Sequence, residues 1–301
     1  MRTQRLRLEL GSSVDRLEPL IRFLRSNLLA AVGLTIITAL IVLAIGAPYI
    51  SVQHPVSHGG GERWVMSFTD VLQPPSWVHP FGTDDLGHDI FSMVLYGGQK
   101  SLRVGLIVVA ISSIIGGLLG AFSGYRGGTW DELLMRVTDI FFAIPAFILA
   151  MAVGAALGPS LDHVMLSLVV VWWPTYARIM RGLALSVREN LYVEAARAAG
   201  ASPSRVVLVH IIPNSVAPIL VQATMDIGNV ILVAAGLGFL GLGSPPGTAE
   251  WGIMISQGAA YIVHDWWWVT FPGLFILLTV LAFNLLGDGL RDFLDPRLRR
   301  G

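Results

Sequence analysis

The stretch that decides the organisation of this chain is YVEAARAAGASPSRVVLVHIIPN, residues 192–214. It is polar, it carries arginine, and it lies between long apolar runs. In a membrane protein it would form the main part of a long loop between two spans. A loop of that kind predicts that another protein docks there.

Composition places most of the remaining chain in lipid. Of 301 residues, 54% are hydrophobic and only 13% are charged, and the mean hydropathy is +0.67. These values lie outside the usage of soluble domains, so lipid must be the solvent for much of the chain. The formal net charge is zero, which argues against nucleic acid as a partner. The chain has no cysteine, which excludes disulfides and thiolate metal sites.

Six apolar blocks predict an all-α membrane protein with six spanning helices. Each block has about the 20 residues that a spanning helix needs, although the fourth is short and the fifth is long. The blocks are residues 27–50, 102–124, 137–157, 164–180, 215–243 and 269–287. The first is too long for the core of a signal peptide, so we interpret it as a retained anchor. Pro145 predicts a kink in the third.

Arginine placement predicts that both termini are cytoplasmic. With the N-terminus inside, 17 of the 20 basic residues fall on the cytoplasmic side, and only Arg63, Lys100 and Arg103 fall outside. The predicted organisation is a cytoplasmic segment at 1–26, a six-span domain at 27–290 and a cytoplasmic tail at 291–301. The six-span domain includes an outer loop at 51–101 and a cytoplasmic loop at 178–214.

Two polar or small-residue patterns lie inside the blocks. Gly116, Gly120 and Gly124 repeat every four residues, which predicts close helix packing. Gln222, Asp226 and Asn229 share one face of the fifth block. An acid at membrane depth costs about 2.5–3.5 kcal/mol on insertion scales and usually faces a bundle interior or a wet cavity. These three residues therefore fit either the wall of a translocation path or a hydrogen-bonded seam with a partner subunit.

Catalytic and metal-binding signals are weak. The one lysine, Lys100, stands in GGQKS, which lacks the Gly-Lys pair of a phosphate-binding loop. Ser244 could serve an intramembrane protease, but a proline follows it and the last block has no histidine to act as base. His54 and His58 lack further metal ligands. We expect a non-catalytic chain without a metal site.

Local signals predict a helix–turn–helix in the polar segment. An alanine-rich helix should end at Gly200. Ser202 is a favourable N-cap and Pro203 a favourable first residue for a second helix. Pro213 should end that helix. From this pattern alone, the segment is either a docking element or a connector whose arginines hold it inside.

The segment also resembles the EAA loop of permease subunits in binding-protein-dependent ABC importers. The match rests on Glu194-Ala195-Ala196, Gly200 and HIIP at 210–213. Further motifs resemble the dipeptide/oligopeptide/nickel permease group in the same order: HPFGTDDLGHDIFSMVLYGGQKSL (79–102), RVTDIFFAIPAFILA (136–150), GLGFLGLGSPP (236–246) and FNLLGDGLRDFLDPR (283–297). His88 departs from the pattern, since arginine is usual there.

The resemblance implies the type I ABC importer permease fold in a bacterial inner membrane. It implies a second homologous permease, two ATPases that bind ATP and magnesium, and an external substrate-binding protein. This chain would bind no cofactor and would contact an ATPase through Glu194, Ala195, Ala196, Arg197, Gly200, Ser202 and Arg205. Di- or oligopeptides are the expected substrate, with nickel, glutathione or another small solute as alternatives. A stand-alone secondary transporter or channel is the alternative function. It would need no ATPase and would often show an internal repeat, which we do not detect.

Overall fold

The structure, a computed structural model, describes residues 27–58 and 61–294. The predicted N-terminal segment (1–26) and the end of the predicted tail (295–301) lie outside the described residues. The helices are α1 (Leu28–Ile50), α2 (Ile90–Arg126), α3 (Gly128–Phe142), α4 (Ala146–Leu157), α5 (Leu161–Val187), α6 (Leu191–Ala198), α7 (Pro203–Val206), α8 (Ile212–Phe239), α9 (Trp251–Gly258) and α10 (Trp267–Leu294). A short antiparallel pair, β1 (Val56–His58) and β2 (Gly61–Arg63), follows α1.

Four helical stretches in the described residues are long and apolar enough to cross a membrane: α1, α2, the continuous stretch Pro203–Phe239 and α10. The pair α3 and α4 becomes a fifth if the two helices form one span. The fourth predicted block lies within α5, which falls short of the same apolarity because its second half carries arginines. The all-helical membrane architecture is therefore clear, and the number of spans is four or five on this measure.

The third predicted block is not one helix. The chain breaks between α3 and α4, and the two helices meet at an angle of 87°. Pro145 lies at the break, immediately before α4. Proline lacks an N–H and disfavours helical geometry in the preceding residue, which explains why the predicted kink is a full interruption here.

At two of the predicted loop boundaries a helix continues into the loop, for a common reason. α2 begins at Ile90 rather than near 102, because the Asp89 side chain accepts a hydrogen bond from the Ser92 N–H and caps the helix. α5 continues to Val187, so the first part of the predicted 178–214 loop is helical. In both places the helix extends beyond the apolar block into polar sequence, which a hydropathy pattern cannot detect.

The glycine ridge packs α2 against α5, as predicted. A Cβ atom added at Gly116 or Gly120 would collide with the backbone oxygens of Trp173 and Ala177, respectively. At Gly124 the added atom would meet the Arg181 carbonyl oxygen at 2.6 Å. This close contact fixes α5 beside α2 and sets where the segment after α5 emerges.

Candidate functional site

The polar segment between α5 and α8 folds into two short helices, α6 and α7, which we term the α6–α7 hairpin (residues 191–206). Gly200 has φ of +84° and follows the end of α6. Its N–H donates to the Arg197 carbonyl (2.9 Å), and the Ala201 N–H donates to the Ala196 carbonyl (3.0 Å). These two bonds form a Schellman motif. The predicted glycine stop is therefore confirmed.

The start of α7 also follows the prediction. The Ser202 hydroxyl accepts from the Arg205 N–H at 3.4 Å, and Pro203 is the first helical residue. The predicted end at Pro213 is wrong. A π-helical turn, Val207–Ile211, carries the helix through the proline into α8. A wider turn tolerates a residue that has no N–H to give.

One apolar face fixes the α6–α7 hairpin to the body of the protein. Val193 is fully buried, as are Val206 and Val207. They belong to one cluster with Ile211 and with side chains of α2 and α5, namely Ala121, Met180 and Ala184. The hairpin is therefore packed onto α2 and α5 and does not hang as a free loop.

The opposite face of the hairpin is exposed and small. Glu194, Ala195, Ala198 and Ala199 are exposed, and Ala196 is partly so. Within residues 27–58 and 61–294, neither the Glu194 carboxylate nor the Arg205 guanidinium has a hydrogen-bond or ion-pair partner. The small alanine side chains and the unpaired charged groups on this face leave room for the side chains of another protein.

Arg197 has a partner inside the chain that the sequence did not reveal. Its guanidinium lies 4.8 Å from the ring centre of Tyr125, at the end of α2. The Arg188 Nη1 donates to the Gly124 carbonyl at 2.9 Å, beside it. Both arginines therefore tie the hairpin region to the end of α2. These residues lie more than sixty positions apart, and no short-range pattern connects them.

A partly buried ion pair holds the neighbouring helices together. Arg181 of α5 donates two hydrogen bonds to Asp131 of α3, at 2.5 and 2.6 Å. The Ser123 hydroxyl of α2 donates to the same carboxylate at 2.6 Å. Bidentate arginine–carboxylate geometry is the stronger kind of charge pair. Together with Arg188, this network fixes the platform on which the hairpin sits.

The polar face of α8 is divided between burial and exposure. Asp226 is buried, and its carboxylate accepts from the Tyr176 hydroxyl (2.8 Å) and from Gln222 Nε2 (3.1 Å). Tyr176 belongs to α5, so this bond joins two helices of the same chain. Asn229 is exposed, and Gln222 also lines a groove of about 500 Å³ between α5, α8 and α10.

Buried histidine–aspartate pairs hold the outer loop. His88 Nδ1 lies 2.7 Å from Asp84 and His79 Nδ1 lies 3.0 Å from Asp89, and all four residues are buried. His88, where the sequence departs from the permease pattern, is thus part of the packing of the loop.

Comparison with known proteins agrees with this arrangement. Residues 116–300 match the family described as binding-protein-dependent transport system inner membrane component. The chain is 45% identical over 278 residues to the probable D,D-dipeptide transport system permease protein DdpC of Escherichia coli, covering 92% of this chain and 91% of that protein. It is 39% identical over 286 residues to the oligopeptide transport system permease protein OppC of Bacillus subtilis, covering 94% and 90%.

A solved structure supports the fold alone. An inward-facing MetNI methionine ABC transporter aligns with a TM-score of 0.53 at 19% identity, covering 67% of this chain and 97% of the matched chain. The helical core therefore has the same fold as the matched chain of that transporter, at low sequence identity.

Proposed function

Because the chain belongs to the family of inner-membrane components of binding-protein-dependent transport systems, we propose that it imports di- or oligopeptides. It is a membrane permease of an ATP-driven importer, in the peptide group of that family. The cargo follows from the relatives, whose names specify D,D-dipeptides, dipeptides and oligopeptides. Nickel, glutathione and other small solutes are the alternatives.

In this proposal the chain forms half of the translocation path, with both termini in the cytoplasm. The α3–α4 pair and α5 would complete six spans with the four apolar stretches. The basic residues support this orientation because nearly all fall on one side. A second permease would form the other half, and an external binding protein would deliver the substrate.

The observation that carries the coupling proposal is the exposed face of the α6–α7 hairpin. Glu194 and Arg205 have no partner within the described chain, and Ala195, next to Glu194 in α6, is small and exposed. We assign this face to one of two ATPases, which would bind ATP and magnesium. Gly200 and Ser202 shape the hairpin. The permease itself would bind no cofactor and catalyse no step.

Movement of the hairpin would reach the membrane helices through packed contacts. Val193 lies in a cluster with α5 and α2, and Arg197 contacts Tyr125 at the end of α2. An ATPase that holds the hairpin differently in its open and closed states would therefore shift these helices as a body. An ATPase that bound both states equally would shift nothing.

The first test is recovery of partners from native membranes. The tagged chain, purified in gentle detergent, should retain a second permease and ATPases identified by mass spectrometry. Glu194→Lys should lose the ATPases and abolish uptake of labelled dipeptide, while insertion and abundance stay normal. Glu132→Lys, which changes another exposed glutamate that pairs only loosely with Arg136 (3.7 Å), should behave as wild type. Retention of the ATPases and normal uptake by Glu194→Lys would refute the assignment.

The polar face of α8 gives a second test. We propose Gln222, Asp226 and Asn229 as part of the path, although Asp226 also bonds to Tyr176. Asp226→Asn keeps the shape and one hydrogen-bond acceptor. If the path needs a carboxylate, uptake should fall about tenfold or more at unchanged abundance. Normal uptake would assign Asp226 to helix packing.

A further inference from the structure

A groove on the side predicted to face outward carries an arginine that the transport proposal leaves unused. The groove has a volume of about 490 Å³, within the range of small-molecule pockets. It lies between α1, α2 and α10, and its walls are mostly apolar. They include Ile37, Ile41, Ile45, Leu106, Ile107 and Phe283, with Arg103 at the edge.

Arg103 is exposed, and its guanidinium is unpaired among the described residues, with no hydrogen-bond, ion-pair or ring partner. It is the second residue of the predicted apolar block 102–124, so it lies near the border between hydrocarbon and headgroups. It is also one of three basic residues on the outer side, where orientation signals favour none. A charge in this position calls for a partner.

The groove offers no partner of its own. Gln99, its other polar member, already donates from Nε2 to the Ala44 carbonyl at 2.7 Å. That bond ties α1 to α2 at one end of the groove. Leu106 and Ile107 follow Arg103 by about one helical turn, toward the middle of the bilayer. A cation at the membrane border would match an anionic lipid headgroup, and the apolar groove wall next to it would match the acyl chain of the same lipid.

We propose that this groove binds an anionic phospholipid of the outer leaflet. One acyl chain would lie along the apolar wall, and the phosphate would accept hydrogen bonds from Arg103. Arginine is always charged and presents paired donors that suit phosphate geometry. The site rests on the proposed orientation of the chain in the membrane, but it does not depend on the transported substrate or on the ATPases.

The test is native mass spectrometry of the full chain in its assembled complex, with phosphatidylglycerol and phosphatidylcholine offered in equal amounts. The wild type should retain one tightly bound phosphatidylglycerol per copy of this chain. Arg103→Gln should bind that lipid about fivefold more weakly, with phosphatidylcholine unchanged. Arg136→Gln, which changes an exposed arginine on the opposite side, should bind as wild type does.

A second variant tests the apolar wall. Ile41→Trp should fill the groove and displace the same lipid even though Arg103 is intact. Millimolar inorganic phosphate should leave the lipid bound. Full displacement by phosphate would indicate a simple anion site and overturn the proposal. So would unchanged phosphatidylglycerol binding in Arg103→Gln, or an assembled complex that holds no lipid here because another subunit covers the groove.

Discussion

The α6–α7 hairpin and the outer loop (here residues 51–89) satisfy their polar groups in opposite ways. They lie at the two ends of α2, whose 37 residues span about 55 Å. In the outer loop, Asp89 is fully buried and accepts hydrogen bonds from Ser92 and from the His79 ring. In the hairpin, Glu194 is exposed and unpaired among the described residues. The buried carboxylates at one end are paired inside the chain, and the exposed carboxylate at the other end is left open to a partner.

Aromatic contacts extend this difference. The Phe81 ring stacks on Phe271 of α10 with centres 3.9 Å apart, and Trp267 Nε1 donates to the Thr83 carbonyl at 3.2 Å. The outer loop is thus fixed to a membrane helix by side chains that are buried or partly buried. Substitutions there should act through stability, whereas substitutions on the hairpin should act through transport.

Among the backbone positions of the hairpin, the largest effect on transport is expected at Gly200. Its φ of +84° is strained for any residue with a Cβ, by about 1–2 kcal/mol, and more for a β-branched one. Gly200→Val should therefore break the Schellman motif and reorient α6. Uptake of labelled dipeptide should fall roughly tenfold or more, while the thermal half-life of the purified chain changes little.

Two controls separate backbone geometry from bulk. Gly200→Asn should retain more uptake than valine, because asparagine tolerates left-handed geometry. Gly182→Ala changes an exposed α5 glycine whose added Cβ meets no atom within 4 Å, and it should be neutral. Equal loss in the valine and asparagine variants would mean that Gly200 matters for close approach of the ATPase rather than for its backbone conformation.

The next largest effect is expected on protein stability, from a substitution in the outer loop at the other end of α2. Asp89→Ala removes the cap of α2 and leaves buried Ser92 and His79 without their acceptor. Losing a cap and its buried partners should destabilise the protein by about 2–3 kcal/mol. The measurement is the thermal half-life in detergent, because membrane proteins commonly unfold irreversibly.

Asp89→Asn is the matched control. Asparagine caps helices as well as aspartate does but lacks the charge facing His79, so about half of the loss should be recovered. If Asp89→Ala instead abolished uptake at normal half-life, the outer loop would have a direct role in transport. The contrast between the two ends would then fail.

Sequence predicted the elements that depend on neighbours along the chain. Apolar length located α1, and Gly200 and Ser202 located the turn of the hairpin. The glycine ridge predicted close helix packing, because small residues at one spacing have one main use inside membranes, and the structure identifies the partner helix as α5. These signals depend only on residues that are close in sequence, so they can be interpreted without knowledge of the tertiary structure.

The remaining features depend on residues that meet only in three dimensions. The resemblance predicts that Arg197 contacts an ATPase, and the structure adds a contact within the chain, with the guanidinium over the Tyr125 ring. The sequence places Asp226 on a polar face of one helix, and the structure shows that its shorter hydrogen bond comes from Tyr176, fifty residues earlier. His88 looked like a departure from a motif, whereas it pairs with a buried Asp84. No sequence periodicity connects such pairs, so these contacts become visible only in the three-dimensional structure.

The smallest expected effect tests whether the outer loop is fully self-contained. Burial, together with the neighbouring Asp84 charge, raises the pKa of Asp85 above its ordinary value of 3.8. The folded state then holds this proton more tightly than the unfolded chain does. The stability that Asp85 contributes is present at low pH and is lost as pH rises through the folded pKa. At neutral pH its charge therefore weakly opposes folding.

Asp85→Asn should consequently raise stability at neutral pH, by less than about 0.5 kcal/mol, and the gain should shrink as pH approaches 3.8. Asparagine can still accept the hydrogen bond that Tyr261 gives to Asp85 at 3.4 Å. Asp162→Asn is the control of opposite sign, since Asp162 lies in the first turn of α5, where negative charge is favourable. The measurement is the thermal half-life of the wild type and of both variants across the pH range. A loss of stability in Asp85→Asn at neutral pH would mean that the charge itself is used, and that the outer loop, like the hairpin, is shaped to meet a partner.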